Sequence, residues 1–272
     1  MKLGSFRFPD IFLESRPDAH LDYGKSPARI KVRSSRKGYK LMRVFFILLA
    51  FEVIYTLTQI GIVLWFLPFG VRTGLIAVTD TFWKYMNHNG LLMIVAMIPT
   101  DMLCLMLLIF YVKRTREQPL AEYFHLRAAP WKSVGFWLGL TSLYLVVTYV
   151  TDPSWAGTEG TYTYETVRNM TLFWILVAVL APMYEEMLYR GFLITELSKT
   201  DLRQFWVVLI PATVWTIGHG EFELIRFFFI FGIGFLLGYA RLRTGSLSLS
   251  IGLHSFVNIV MTIQVLLTIR GS

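Results

Sequence analysis

The chain has 272 residues, of which 55% are hydrophobic, 16% aromatic and 16% charged, with a formal net charge of +8. Soluble domains carry about 25% charged residues, and several apolar runs here reach the roughly 20 residues that a membrane-spanning helix requires. This composition excludes an ordinary soluble domain, and the apolar runs lack the alternation of β-barrel strands. We therefore predict an all-α, polytopic transmembrane helical bundle of about seven spans, with six to eight as the range.

The predicted elements divide the chain into three parts. Residues 1–40 form a polar, basic amino-terminal segment, residues 41–164 hold the first transmembrane helices, and residues 165–268 hold the remaining ones. The segment after Pro68 has a short apolar run with aromatic and amide side chains, so we expect it to lie at the membrane interface. The predicted spans lie near 43–67, 89–112, 133–150, 170–195, 204–220, 224–240 and 247–268.

Lysine and arginine are distributed unevenly between the predicted loops. Residues 1–43 contain 11 of the 26, and residues 113–132 contain 5 more. Because cytoplasmic loops are enriched in these residues, we predict an integral, multi-pass protein with a cytoplasmic amino terminus, in the plasma (inner) membrane if the source is bacterial. The basic run at 25–40 is expected to contact the anionic surface of the lipid bilayer, and nucleic acid is not an expected partner.

A charged motif interrupts the fourth apolar run, which contains the sequence APMYEEMLYRG. Each charged side chain near the centre of a spanning helix costs roughly 2.5 to 3.5 kcal/mol. Glu186 and Arg190 are four residues apart on one helix face, so they can pair and lower this cost. Glu185 points about 100° away from Glu186, and Pro182 disturbs the backbone ladder at the carbonyl of residue 178. A water-holding site and a structural charge network both fit this motif.

Two further polar clusters lie in the apolar carboxyl-terminal half. VWTIGHG places His219 at the end of the fifth apolar run, and SIGLHSFVNIV places His254 and Asn258 four residues apart on one face of the last helix. A lone membrane histidine is commonly a hydrogen bond between helices. However, at about 1.5 Å of rise per residue in a core about 30 Å thick, Glu185 and these three side chains all fall at intermediate depth and could meet.

The motifs EEMLYRG, WTIGH and HSFVN, in this order, resemble the CPBP intramembrane proteases. That family includes the type II CAAX prenyl proteases and the bacteriocin-processing or Abi proteins. The resemblance covers roughly residues 165–265, and the first 150 residues carry none of it. Family members usually begin the second motif with phenylalanine, where this chain has Trp215, so the aromatic character is kept. Residues 165–268 are thus expected to be a CPBP-like catalytic core.

The resemblance implies an intramembrane endopeptidase that hydrolyses a peptide bond of a membrane-anchored protein or peptide, with its active site inside the membrane. Glu185 would be the general base, and His219 would help to hold and activate the attacking water. His254 and Asn258 would donate hydrogen bonds to the oxyanion of the tetrahedral intermediate.

The cofactor requirement stays open at this point. Glu185, His219 and His254 also form a two-histidine, one-carboxylate set that could bind zinc or another divalent metal with an open position for water. The sequence lacks HExxH, and we favour catalysis without a cofactor. With either chemistry, Glu186 and Arg190 would be a supporting ion pair.

Three classes of function fit the sequence, and the endopeptidase is the favoured one. A catalytically silent membrane scaffold or bacteriocin-immunity factor would keep the same fold. A transporter would be expected to show paired inverted repeats, and none is visible. Among substrates, a prenylated CAAX protein, a peptide precursor and another membrane protein all remain open.

Two other features of the apolar runs have structural interpretations. Gly234 and Gly238 in GIGFLLG are expected to form a close contact between helices. Asp101, inside the second apolar run, is expected to have a local hydrogen-bonded partner rather than to act in a proton relay.

Overall fold

The computed structural model describes residues 33–74, 89–152, 163–220 and 223–271. Within these ranges the chain forms helices and no strand, so the predicted all-α fold is confirmed. The main helices are α1 (Arg33–Arg72), α2 (Gly90–Thr115), α3 (Leu120–Tyr123), α4 (Trp131–Thr151), α5 (Met170–Leu197), α6 (Gln204–Gly218), α7 (Leu224–Thr244) and α8 (Leu247–Gly271).

Six helices in the described part of the chain are long and apolar enough to cross a membrane, namely α1, α2, α4, α5, α7 and α8. The apolar helix α6 has only 15 residues. Its length is therefore about 22 Å, shorter than a hydrocarbon core of about 30 Å. The protein is an integral, multi-pass membrane protein. Over the ranges that the structure describes, the number of spans is at the lower end of the predicted range, and the short helix is the fifth predicted span.

The first helix is longer than the predicted span that it contains. Helix α1 is described from Arg33 onward, and its part that is apolar enough to cross a membrane begins at Lys40, close to the predicted start near residue 43. The polar sequence RSSRKGYK contains no proline, so the helix can continue beyond the apolar run. The first part of the basic run and residues 75–88 of the predicted interfacial segment lie outside the described residues.

Three helix ends show why the chain turns where it does. The side chain of Asn89 accepts a hydrogen bond of 3.0 Å from the N–H of Leu92 and caps α2. Asn169 caps α5 in the same way, also at 3.0 Å. Helix α7 ends at Gly245, whose φ is +62°, and a Cβ there would come within 2.1 Å of Nη2 of Arg127. Glycine satisfies both demands of this turn.

Helix α5 is irregular along its length. Two π-helical segments, Leu176–Leu180 and Glu186–Leu193, alternate with α-helical ones. Such wide turns occur frequently at functional sites because they redirect side chains and release backbone groups. The second segment begins at the second glutamate of the EExxxR motif and contains its arginine. The π-helical register therefore changes the directions of the charged side chains relative to an ideal α-helix.

Pro182 releases a backbone carbonyl that an α-helical register does not predict. The N–H of Ala181 bonds five residues back, to the carbonyl of Leu176. Because Pro182 has no N–H, the carbonyl of Val177 receives neither of the backbone donors at i+4 and i+5. With α-helical spacing, Pro182 would leave only the carbonyl of residue 178 without its donor. The π-helical turn leaves the carbonyl of Val177 without a backbone donor as well.

Helices α6 and α7 pack closely because two glycines of α7 carry no side chain. A Cβ on Gly234 would lie 2.8 Å from the ring of Trp215, and a Cβ on Gly238 would lie 3.0 Å from a methyl group of Val208. The expected contact of these small residues is thus present. It brings the Trp215 ring against α7 and, through that helix, towards α5.

The amino-terminal helices attach to the centre of the bundle by polar contacts. Tyr189 on α5 donates a hydrogen bond of 2.5 Å to Glu52 on α1. Tyr55 on α1 donates one of 3.0 Å to Asp101 on α2, and its ring stacks on Tyr184 with centroids 5.2 Å apart. The partner of Asp101 therefore comes from another helix and not from its own neighbourhood.

An ionic cluster holds the carboxyl end of α5. Glu196 pairs with Arg116 and with Lys199, each at 2.7 Å. The hydroxyl of Tyr123 donates a third hydrogen bond to the same carboxylate, again at 2.7 Å. These contacts join the ends of α2, α3 and α5 on the side of the membrane that the charge distribution predicts to be cytoplasmic.

Candidate active site

Glu186 is the centre of the buried polar network. The residue is 0% exposed, yet its two carboxylate oxygens accept hydrogen bonds from three other side chains. Oε1 lies 2.8 Å from Nη1 of Arg190 and 3.0 Å from Nδ1 of His254. Oε2 lies 2.7 Å from Oγ of Ser250. A buried carboxylate is tolerated when it is paired and hydrogen-bonded in this way.

Arg190 provides the positive charge that balances Glu186. Both residues are 0% exposed, and their i, i+4 ion pair is the one that the spacing of the motif predicts. The guanidinium also donates a hydrogen bond of 3.1 Å to the carbonyl of Gly234 on α7. Its carbon atom lies 4.6 Å from the centroid of the Trp215 ring, which gives a cation–π contact.

Glu185 has a different environment from its neighbour. Its side chain is 19% exposed, and Nε1 of Trp215 donates a short hydrogen bond to its Oε2. Nε2 of His254 lies 4.0 Å from the same oxygen, which is beyond hydrogen-bonding distance. One glutamate is therefore enclosed by charged and polar partners, and the adjacent one is partly accessible.

His254 connects the two glutamates. Its Nδ1 faces the Glu186 carboxylate, which is held by Arg190 and accepts hydrogen bonds, so Nδ1 donates. This fixes the ring and directs Nε2 towards Glu185. A carboxylate that orients an imidazole in this manner is a common feature of catalytic and metal sites. The ring also contacts Trp215 edge to face, with centroids 5.4 Å apart.

His219 lies at the carboxyl end of α6 and is exposed. Its Nδ1 is 2.8 Å from the carbonyl oxygen of Trp215. A carbonyl can only accept, so Nδ1 carries the hydrogen and Nε2 is left as the basic nitrogen. The imidazole packs against the Trp215 ring at 4.3 Å. Trp215 is therefore the side chain through which His219 approaches Glu185.

Asn258 occupies the position one helical turn after His254 on α8. Its Nδ2 donates a hydrogen bond of 2.8 Å to the carbonyl of Val177, which is the carbonyl released by Pro182. The amide thus replaces a backbone donor and ties α8 to the first π-helical segment of α5. One of its two N–H groups remains for other partners.

The predicted residues form two groups in the structure. Glu185, Glu186, Arg190 and His254 lie within one network, whereas His219 and Asn258 join it through Trp215 and through the backbone of α5. Within the described ranges, no three histidine, cysteine, aspartate or glutamate side chains are arranged to hold a metal ion. The three candidate ligands Glu185, His219 and His254 are consequently not assembled around a common point.

Sequence reasoning missed two members of the site. The sequence shows Trp215 as an aromatic replacement for phenylalanine, but its indole N–H is a donor that phenylalanine lacks. Ser250 precedes His254 by four residues, so helical spacing alone places both on one face. That signal was present in SLSLSIGLH. Nothing in the sequence indicated that the carbonyl of Gly234 would accept from Arg190, because this contact depends on the packing of α7.

A family model matches the part of the chain that contains the buried polar network, and one curated protein is similar to the chain. Residues 167–260 match a family model described as type II CAAX prenyl endopeptidase Rce1-like. An uncharacterized 24.3 kDa protein of Escherichia coli is 24% identical over 153 residues, which cover 55% of this chain and 70% of that protein. No solved structure matches the chain. The family match confirms the resemblance to the CPBP proteases and supports an intramembrane CAAX-type protease at the level of the family.

Proposed function

From the CPBP family relationship of residues 167–260, we propose that this chain is an intramembrane endopeptidase. Its substrate would be a membrane-anchored protein or peptide, cleaved by a water molecule that Glu185 activates. The observation that carries the proposal is that two adjacent glutamates differ in exposure and in hydrogen-bond partners. Glu186 is fully buried and paired, while Glu185 is partly exposed and bound by the indole of Trp215.

Glu185 has the features of a general base. Water is a poor nucleophile at its ordinary pKa, and a positioned carboxylate can take its proton as the oxygen attacks a carbonyl carbon. The hydrogen bond from Trp215 fixes one carboxylate oxygen. Because Oε2 is held, the orientation of the whole carboxylate is set, and Oε1 would be the oxygen that takes the proton of the water. General acid–base catalysis by a positioned side chain typically contributes about 100 to 10,000-fold to the rate.

His254 has the features of an oxyanion donor. Its Nδ1 is occupied by Glu186, so Nε2 is the nitrogen that can act on substrate beside Glu185. The donor role requires a hydrogen on both ring nitrogens, so that Nδ1–H would donate to the Glu186 carboxylate and Nε2–H to the oxyanion of the tetrahedral intermediate. Glu186, Arg190 and Ser250 would position this ring without touching the reacting atoms.

His219 and Asn258 would have supporting roles in the same reaction. The free Nε2 of His219 could accept a hydrogen bond from the attacking water. The second N–H of Asn258 could join His254 as an oxyanion donor, while its first N–H holds the carbonyl of Val177. A substitution at Asn258 would therefore affect both the local backbone and turnover.

The proposal is tested by comparing peptides released from membranes of cells that express wild type, Glu185→Gln or Glu117→Gln. Glu117 is exposed and distant in sequence from the site, which makes it a matched control. Products present with wild type and Glu117→Gln and absent with Glu185→Gln would support the peptidase. Identical peptide sets from all three strains would contradict it.

A second arm of this experiment addresses the metal question. Purified enzyme would be treated with a chelator and then supplied with zinc before the identified peptide is added. We expect turnover to persist after chelation. Loss of turnover that zinc restores would replace the glutamate mechanism with the metal-dependent one built on Glu185, His219 and His254.

A further inference from the structure

A second polar site lies at the end of α7, away from the Glu185 centre. Arg241 follows Gly234 by seven residues, which places it about 10 Å further along the helix. Only 4% of the residue is exposed, and its Nε has no hydrogen-bond partner. None of the ion pairs found among the described residues includes Arg241. A buried cation without a counter-anion is unfavourable.

The groups around Arg241 add positive charge. Arg127, in the connection between α3 and α4, donates a hydrogen bond of 2.8 Å from Nε to the carbonyl of Gly245. The N–H of Gly245 in turn bonds to the carbonyl of Arg241 at 2.9 Å. The same turn therefore holds both arginines, and the charge of Arg127 acts on Arg241.

The pKa of His125 is affected by the same positive charges. The residue is exposed, but partial desolvation of its ring, followed by the charges of Arg241, Arg127 and Lys199, lowers the pKa of His125 to about 4. Lys199 is already paired with Glu196. The imidazole is consequently neutral at ordinary pH, so it neither adds to the positive charge of the arginines nor balances it.

Two backbone N–H groups at the start of α8 are already hydrogen-bonded. The N–H of Leu247 bonds to the carbonyl of His125 at 3.0 Å. The N–H of Leu249 bonds to Oγ of Ser246 at 3.2 Å. The buried group with an unused donor at this place is the guanidinium of Arg241, and Arg127 lies at the same turn.

We propose that Arg241 and Arg127 bind a phosphate-type oxyanion, supplied by the headgroup of an anionic lipid or by free phosphate. A planar guanidinium matches the oxygens of a phosphate group. The site lies where α7 ends, on the side that the lysine and arginine distribution predicts to be cytoplasmic, and anionic headgroups are concentrated at that surface. The inference does not depend on the peptidase activity.

The test uses the full chain in nanodiscs of phosphatidylcholine, with and without phosphatidylglycerol, and in phosphatidylcholine with inorganic phosphate or sodium chloride at equal ionic strength. Melting is followed by tryptophan fluorescence. The variants are Arg241→Met, which removes the buried guanidinium, and Arg243→Met as a control. Arg243 is exposed on the same helix and stacks on Tyr239 at 5.2 Å.

A ligand that binds only the folded state raises the melting temperature, on the order of a few degrees when saturating. We expect phosphatidylglycerol or inorganic phosphate to produce this rise in wild type and in Arg243→Met but not in Arg241→Met. A rise with the lipid alone assigns the oxyanion to a headgroup, and a rise with phosphate alone assigns it to the free ion. An unchanged wild type, or an equal rise in Arg241→Met, would overturn the proposal.

Native mass spectrometry of the wild-type protein measures the bound lipid or phosphate directly and does not require a variant that folds. Protein released from nanodiscs that contain both lipids should retain one phosphatidylglycerol, or one phosphate ion, per chain. Retention of both lipids without preference, and of no phosphate, contradicts the site.

Discussion

The two halves of the bundle differ in where they place polar and apolar side chains. On α5, Glu186 and Arg190 are charged and 0% exposed, and partners on α7 and α8 satisfy them. Helix α1 instead presents apolar side chains outward, with Phe46 61% and Trp65 79% exposed. Polar contacts between helices therefore specify the carboxyl-terminal core, whereas lipid can solvate most of α1.

The few polar contacts of α1 are directed at the core. Glu52 accepts a hydrogen bond from the hydroxyl of Tyr189, which lies three residues after Glu186. Tyr55 stacks on Tyr184, the residue before Glu185. The family match begins at residue 167, so these contacts join a region without family resemblance to the helix that carries the site. Substitutions should accordingly cost most at the centre of α5 and least at its exposed end.

Arg190→Ala should give the largest loss of stability. It leaves the buried Glu186 without its counter-charge, and removal of one partner from a buried pair typically costs about 3 to 5 kcal/mol. Melting of purified protein in one detergent would be compared with Arg243→Ala, whose side chain is exposed. If both variants melt like wild type, the contrast between the two halves is wrong.

Ser250→Ala should have the next largest effect. The hydroxyl bonds to the Glu186 carboxylate at 2.7 Å, and hydrogen bonds to charged groups contribute about 1.5 to 3 kcal/mol. Ser248→Ala is the matched control, because Ser248 is exposed two residues earlier on α8. Equal melting temperatures for the two serine variants would show that Glu186 does not need this donor.

Tyr189→Phe tests the attachment of α1. It removes the donor to Glu52 while keeping the ring, and we expect a loss of about 1 to 2 kcal/mol. Combining it with Glu52→Gln in a double-mutant cycle should show coupling between the two positions. Strictly additive losses of stability would mean that the helices are held together without this hydrogen bond.

Lys199→Ala should have the smallest effect. The lysine side chain is 45% exposed, and exposed ion pairs contribute about 0 to 1 kcal/mol. Glu196 also keeps Arg116 and Tyr123 as partners. A melting temperature that falls as far as that of Ser250→Ala would indicate that the end of α5 is as tightly specified as its centre.

The sequence predicted the parts of the fold that depend on composition and local spacing. Apolar runs gave the spans, and the i, i+4 spacing gave the Glu186–Arg190 pair. The apolar run of the fifth span is already short in the sequence, and α6 has 15 residues. The π-helical turns of α5 were not predictable in this way, because they depend on how the helices pack. For the same reason the Val177 carbonyl as partner of Asn258, and Gly234 as partner of Arg190, emerge only in three dimensions.

The buried positive charge at Arg241 was also hidden from sequence reasoning. RLRTGS contains two arginines that look alike as positive-inside residues. Only the structure shows that Arg241 is buried and that Arg243 is exposed. Burial of a helical residue depends on which neighbours cover its face, and no pattern within α7 determines this.

We propose that Glu185 is the general base and that Glu186 positions the His254 ring. Glutamine variants of the two glutamates test this difference most directly. Turnover of the identified peptide and melting would be measured for Glu185→Gln and Glu186→Gln in the same detergent. We predict that Glu185→Gln melts like wild type but loses turnover by at least about 100-fold. Glu186→Gln should lose both, because Arg190 is then buried without its counter-charge. Turnover by Glu185→Gln at the wild-type rate would contradict the account.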